Sequence, residues 1–95
     1  MSGNQEKFQK AMSKGHSAAW DQLWDKAASA YREALTEFPD APKALSSLGL
    51  ALYQIQEFKE ALQTYQRLSE ISPDDPTPFE KRAQLSERLG NLKAA

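Results

Sequence analysis

Residues 44–73 read ALSSLGLALYQIQEFKEALQTYQRLSEISP, and this stretch decides the fold. Apolar residues recur at helical spacing on both sides of a short break near Gln56, which predicts two amphipathic helices joined by a tight turn. Pro73 ends the second helix, because proline lacks an amide donor and clashes with the preceding turn. A single hairpin leaves its apolar face uncovered, so the pattern predicts a neighbouring hairpin of the same kind.

The same pattern occurs 34 residues upstream. The positions of Gly49, Ala61, Tyr65 and Pro73 are taken there by Gly15, Ala27, Tyr31 and Pro39. A weaker third copy, which stops at Ala95, has Phe79, Ala83 and Leu92 at the positions of Leu45, Gly49 and Phe58. A constant period of this length indicates a helical repeat.

These residues and their spacing resemble the tetratricopeptide repeat (TPR) family over about residues 8–95. The resemblance implies an all-α fold, in which antiparallel helical hairpins stack as a short right-handed superhelix. Residues 1–95 would form one domain, with repeat 1 at about 8–41, repeat 2 at about 42–75 and a partial third repeat or cap at about 76–95. The first copy departs from the second in having Ala11, Lys14 and Ala18 where the second has leucines, as expected of a terminal repeat.

Capping and turn signals predict five helices, at about residues 5–20, 23–37, 43–56, 58–71 and 77–89. Asn4 or Ser2 is expected to cap the first. Thr77 and Glu80 form a candidate capping box for the fifth, with Pro78 in its first turn. Gly90–Asn91 is predicted to be a turn, after which Leu92 would begin a sixth helix.

Composition restricts the classes of partner. The 95 residues include 12 basic and 13 acidic side chains and no cysteine. Balanced charge predicts neither nucleic-acid nor membrane binding, and the absence of cysteine excludes disulfides and thiol chemistry. The polar N-terminus lacks the apolar core of a signal peptide, and no apolar run reaches the length of a membrane span. A cytoplasmic location is the simplest expectation.

The residues that carry chemistry are sparse. His16 is the only histidine, and no Asp or Glu lies three or four residues from it. There is no glycine-rich phosphate loop, no supported nucleophile motif and no metal-ligand pattern, and Asp74–Asp75 fits turn chemistry better than a metal site. We therefore predict no catalytic residue, no metal and no cofactor, so that the protein is not an enzyme.

In TPR proteins the first helices of successive hairpins line a concave groove that holds an extended peptide or a partner helix. By register, the resemblance places in this groove Met12, His16, Ala19, Trp20, Ser47, Leu50, Tyr53, Gln54, Lys81, Gln84 and Arg88. Trp20 has no counterpart in the other copies, so it either packs against the N-terminal segment or is an exposed aromatic that faces a ligand. Lys81, Arg82 and Arg88 form a modest basic cluster, interpreted as a solvated face.

The family's carboxylate clamp, which binds acidic C-terminal peptides of heat-shock chaperones, is predicted to be absent. It uses five polar or basic residues at fixed places. Those places hold Met12, His16, Ser47, Thr77 and Lys81, and of these only Lys81 keeps a cation. Chaperone-tail binding therefore does not follow from the fold.

The resemblance implies a non-enzymatic protein–protein interaction module that binds a peptide or partner protein in its groove. The alternative is an N-terminal scaffold or regulatory fragment of a longer multi-repeat or multi-domain protein, suggested by the stop in mid-repeat at Ala95. RNA binding, as in the related pentatricopeptide repeats, is disfavoured by the balanced charge. We also expect weak end-to-end self-association through the open end of the fifth helix, burying Leu89 or Leu92.

Overall fold

A computed structural model describes the backbone of residues 3–94 and the side chains of residues 3–90. Five α-helices follow one another in chain order: α1 Gln5–Trp20, α2 Trp24–Glu37, α3 Pro42–Gln54, α4 Phe58–Ile71 and α5 Thr77–Ala94. Each helix packs against the next, and residues 3–94 contain no strand. The all-α prediction is confirmed, and the predicted bounds of α1 and α4 agree with the structure.

Local hydrogen bonds set the helix starts. The Asn4 side chain accepts a hydrogen bond from the Lys7 amide at 3.0 Å, as the sequence predicts for an N-cap. The Asn4 amide donates to Glu37 Oε1 at 2.9 Å, which ties the start of α1 to the end of α2. At α5 the predicted capping box is wrong: Thr77 is already helical, and its amide donates to Asp75 Oδ1 at 3.0 Å. Asp75 therefore supplies the side-chain cap.

The turns inside both hairpins have the same backbone form. Gln22 and Gln56, 34 residues apart, adopt positive φ angles of 61° and 66°. At the end of α3, the backbone amides of Gln56 and of the next residue hydrogen-bond back to carbonyls of the helix. Gln56 N donates to Tyr53 O at 3.1 Å, and Glu57 N donates to Leu52 O at 2.9 Å. This is a Schellman motif, which satisfies carbonyls that a helix end would otherwise leave unpaired.

The third copy departs from the repeat at this position. Gly90 takes the place of Gln56, yet α5 runs through it to Ala94. The predicted turn at Gly90–Asn91 is therefore wrong, and Leu92 begins no sixth helix within the described residues. Within residues 3–94 no second helix follows α5, and its backbone hydrogen bonding continues through Gly90.

The core runs along the stack between first and second helices. Leu52, Leu68 and Leu85 are fully buried, and Leu85 brings α5 onto the core of repeat 2. Small residues let the helices approach: Ala27, Ala34 and Ala61 have no exposed surface. Ion pairs on the surface join the two hairpins, Arg32 to Glu60 at 2.7 Å and Arg67 to Asp40. In this stack, α1, α3 and α5 form one row of helices, and α2 and α4 form another.

Candidate binding groove

The row of first helices, α1, α3 and α5, presents ten of the eleven residues that the sequence places in the groove. Six are exposed and four half-buried: His16, Trp20, Leu50, Gln54, Gln84 and Arg88 in the first group, and Ala19, Ser47, Tyr53 and Lys81 in the second. Met12 is different, because it is only 6% exposed and packs in the core. Met12 therefore offers a partner almost no surface and does not belong to the accessible groove.

Four side chains form a cation–aromatic cluster between α3, α4 and α5: Tyr53, Phe58, Lys81 and Arg88. The rings of Tyr53 and Phe58 meet edge to face, with centroids 5.5 Å apart. Arg88 Cζ lies 5.4 Å from the Tyr53 centroid and 5.6 Å from that of Phe58, and Lys81 Nζ lies 5.9 Å from Tyr53. Both cations are thus held by the negative face of an aromatic ring.

This cluster borders a recess of about 410 Å³, lined by Tyr53, Gln84, Glu87 and Arg88. A guanidinium beside an apolar ring can donate paired hydrogen bonds to a carboxylate while the ring packs on an apolar side chain. The recess therefore suits a segment that carries both kinds of group. Phe58 was not among the predicted groove residues, because its place in the repeat marks it as core.

Three basic residues of α5, namely Lys81, Arg82 and Arg88, do not act as one group. Lys81 and Arg88 join the cluster around Tyr53. Arg82 instead donates from Nη1 to Ser69 Oγ at 3.2 Å and lies 5.9 Å from the Phe79 ring. The sequence-based interpretation of all three as a solvated face missed this division, because it depends on contacts with α3 and α4.

His16 makes a polar contact between α1 and α2. Its Nδ1 lies 2.8 Å from the hydroxyl of Tyr31, a residue that is 3% exposed. Burial raises the pKa of Tyr31, and a hydrogen bond with the Ser47 side chain offsets part of that effect. Tyr31 therefore remains a neutral phenol beneath the groove, and its hydroxyl gives His16 a structural contact.

Trp20 is 88% exposed, at the last residue of α1. Of the two interpretations open from sequence, the structure favours an exposed aromatic over a ring packed against the N-terminal segment. A neighbouring apolar residue, Leu23, is 45% exposed. Exposed aromatic and aliphatic side chains that lie close in sequence are typical of surfaces that contact a partner.

Among the described residues, no group of three or more His, Cys, Asp or Glu side chains is arranged to hold a metal ion. None of the described helices combines the length and apolar character that crossing a membrane requires.

Stacked hairpins with a 34-residue period, each with a glycine facing a tyrosine, define a helical-repeat protein of the solenoid class. A family model described as "Tetratricopeptide repeat" matches residues 14–76. The chain belongs to the tetratricopeptide repeat family.

Solved structures with the same fold extend over nearly the whole chain. A chain of the CopN–Scc3 complex matches with a TM-score of 0.86 and 21% identity, over 95% of this chain and 53% of that one. The TPR domain of Arabidopsis OM64 matches with a TM-score of 0.85 and 23% identity, over 96% and 75%. The TPR2AB-domain:pHSP90 complex of yeast Sti1 matches with a TM-score of 0.84 and 22% identity, over 97% and 36%.

The expected helical-hairpin superhelix is confirmed by these matches. The chain spans about half the length of the matched CopN–Scc3 chain and about a third of the Sti1 chain. A comparison with curated protein sequences found no match.

Proposed function

We propose that this protein is a non-enzymatic interaction module that binds a peptide or partner protein along the groove of α1, α3 and α5. The observation that carries the proposal is the cation–aromatic cluster beside Leu50, which is 41% exposed. Membership of a repeat family used for protein recognition supports it, and so does the Sti1 match, whose own description names a complex with pHSP90. The non-enzymatic part of the proposal rests on the family.

The chemistry of the groove favours a partner segment with apolar and acidic side chains next to each other. Leu50 and the Tyr53 ring offer apolar surface, while Lys81 and Arg88 offer two cations. A carboxylate between these cations would gain charge-assisted hydrogen bonds, and an adjacent apolar side chain would cover Leu50. Glu87, which lines the same recess, disfavours a run of several acidic residues.

The test is selection of twelve-residue peptides from a random phage-displayed library against the immobilised domain, followed by titration calorimetry of the enriched peptides. We expect these peptides to carry an acidic residue beside an apolar one. Leu50→Ser and Arg88→Gln should each weaken binding by about tenfold, equivalent to about 1.4 kcal/mol.

Lys59→Gln and Gln63→Ser, at exposed positions of α4, are the matched controls and should leave binding unchanged. Binding that resists both groove substitutions, or that is lost with the α4 controls, would place the partner elsewhere and overturn the proposal.

A further inference from the structure

The outer face of α5 is a ridge that no described helix covers. Its residues, at helical spacing and all exposed, are Phe79, Ala83, Ser86 and Gly90. The opposite face of α5 carries the fully buried Leu85 against α4. Phe79, which is 45% exposed, is the one large apolar side chain of this ridge.

Charge of opposite sign lies on the two flanks of the ridge. Glu80 and Glu87, both exposed and seven residues apart, lie on one flank. Arg82 lies on the other, 5.9 Å from the Phe79 ring. The ridge therefore presents an acidic flank, an apolar crest and a basic flank.

The other end of the stack carries a groove with the complementary pattern. It lies between α1 and α2, has a volume of about 290 Å³ and is lined by Lys7, Lys10, Ala11, Lys14, Glu33, Thr36 and Glu37. The lysines all come from α1 and the glutamates from α2. Arg32 of α2 pairs with Glu60 of repeat 2, whereas every residue that lines this groove belongs to α1 or α2.

The charges of the α5 ridge and those of the α1–α2 groove match in spacing as well as in sign. Lys7 and Lys14 are seven residues apart on α1, as Glu80 and Glu87 are on α5. Seven helical residues span about 10.5 Å in either helix. A ridge of one helix packing into the groove between two others is an ordinary mode of helix packing.

We propose that the α5 ridge of one copy of this chain docks into the α1–α2 groove of a second copy. With α5 antiparallel to α1, Glu80 then faces Lys14, Arg82 faces Glu33 and Glu87 faces Lys7. Phe79 packs on the aliphatic stems of the groove lysines, since Ala11 on the groove floor is only 8% exposed. The ion pair that Lys14 makes with Glu33, at 3.5 Å between exposed side chains, is weak enough to exchange. The contact is head-to-tail, so each added copy leaves one ridge and one groove free, and the assembly stays open.

Two-fold pairing of α5 with α5 is disfavoured by the same charges. In an antiparallel pair each flank meets its own copy, so that Glu80 and Glu87 would face acidic residues of the same kind. From the sequence, self-association is expected to bury Leu89 or Leu92, and the structure points to a different apolar residue. Leu89 is already half-buried, the side chain of Leu92 lies outside the described residues, and the exposed apolar residue is Phe79.

Sedimentation velocity over a concentration series at low salt tests the proposal. The wild-type weight-average mass should rise from the 10.6 kDa of the monomer past that of a dimer, and added salt should reverse the rise. Glu80→Lys with Glu87→Lys, and separately Lys7→Glu with Lys14→Glu, should each remain monomeric because both ends then carry like charge. An equimolar mixture of the two double variants should associate again.

The control is the same mixture with Phe79→Ser added to both variants, which keeps the net charges but removes the apolar contact. It should stay monomeric, and circular dichroism should show that every variant remains helical. A wild-type protein that is monomeric at every concentration, growth that stops at a dimer, or a mixture unaffected by Phe79→Ser would each overturn the proposal.

Discussion

The ring of Tyr65 lies directly against the α-carbon of Gly49, so closely that a Cβ on Gly49 would be 2.6 Å from Tyr65 Cζ. The contact recurs one repeat earlier, where a Cβ on Gly15 would be 2.5 Å from Tyr31 Cε1. Real Cβ atoms do not approach other atoms this closely, so each glycine is what allows its hairpin to close. The glycine and the tyrosine of each pair are 16 residues apart in both repeats.

Gly49→Ala should therefore destabilise the fold, even though alanine is the better helix former. We expect a loss of about 1–3 kcal/mol from overpacking against Tyr65, measured by urea denaturation. Gly90→Ala is the matched control, since Gly90 is helical and has nothing within 4 Å of the added Cβ. It should stabilise by about 0.5–1 kcal/mol. Equal stabilities of the two variants would contradict the close contact.

Gln56→Gly should stabilise the protein. Gln56 has a φ of 66°, a left-handed conformation that is costly for residues with a Cβ and free of that cost for glycine. We expect a gain of about 0.5–1 kcal/mol in the free energy of unfolding. The same substitution two residues earlier, Gln54→Gly in the last turn of α3, should instead destabilise. A loss of stability in Gln56→Gly would mean that the Schellman turn is not formed.

Substitutions in the groove should separate binding from folding. Leu50→Ser removes exposed apolar surface, so the thermal melting curve should remain close to that of the wild type while peptide affinity falls. Ala61→Leu, at a position with no exposed surface, should do the reverse and lower the melting temperature through overpacking. If Leu50→Ser unfolds the domain, Leu50 belongs to the core and the groove lies elsewhere.

Stability should decrease in alkaline solution because of the buried tyrosines. Burial raises the pKa of Tyr65 from 10.0 to about 12, and that of Tyr31 is raised as well. The unfolded chain then loses these protons at lower pH than the folded one. The stabilisation is complete below about pH 10 and is lost as pH rises toward about 12. Urea midpoints measured between about pH 8 and about pH 11 should fall.

Tyr65→Phe should flatten this dependence, whereas Tyr53→Phe, at a half-buried ring, serves as the matched control and should leave most of it intact. An alkaline loss of stability that is the same in Tyr65→Phe and wild type would assign the effect to other groups.

Much of the architecture follows from local signals in the sequence. The 34-residue period, the apolar spacing and the prolines place α1 to α4 to within about two residues, because helix formation and capping depend on neighbours within one turn. The period also assigns residues to the row of first helices, since equivalent positions in stacked repeats face the same way. Most of the predicted groove residues are therefore accessible in the structure.

Other features depend on what packs across the stack, which local pattern does not encode. Met12 and His16 are one turn apart on α1, yet Met12 is buried in the core and His16 reaches the Tyr31 hydroxyl. The cation–aromatic cluster needs Phe58, which α4 carries to Arg88 of α5. Pairings of this kind are set by which helices become neighbours.

The path of the chain at Gly90 shows the same division. By sequence, Gly90 stands where Gln22 and Gln56 form turns, and glycine suits that turn better than glutamine does. Sequence alone thus determined the repeat, the hairpins and the position of each potential turn. Only the tertiary structure decided which potential turns form among the described residues. A helix end leaves backbone groups unpaired, and a second helix packs back after Gln22 and Gln56 to offset that cost, whereas α5 continues through Gly90.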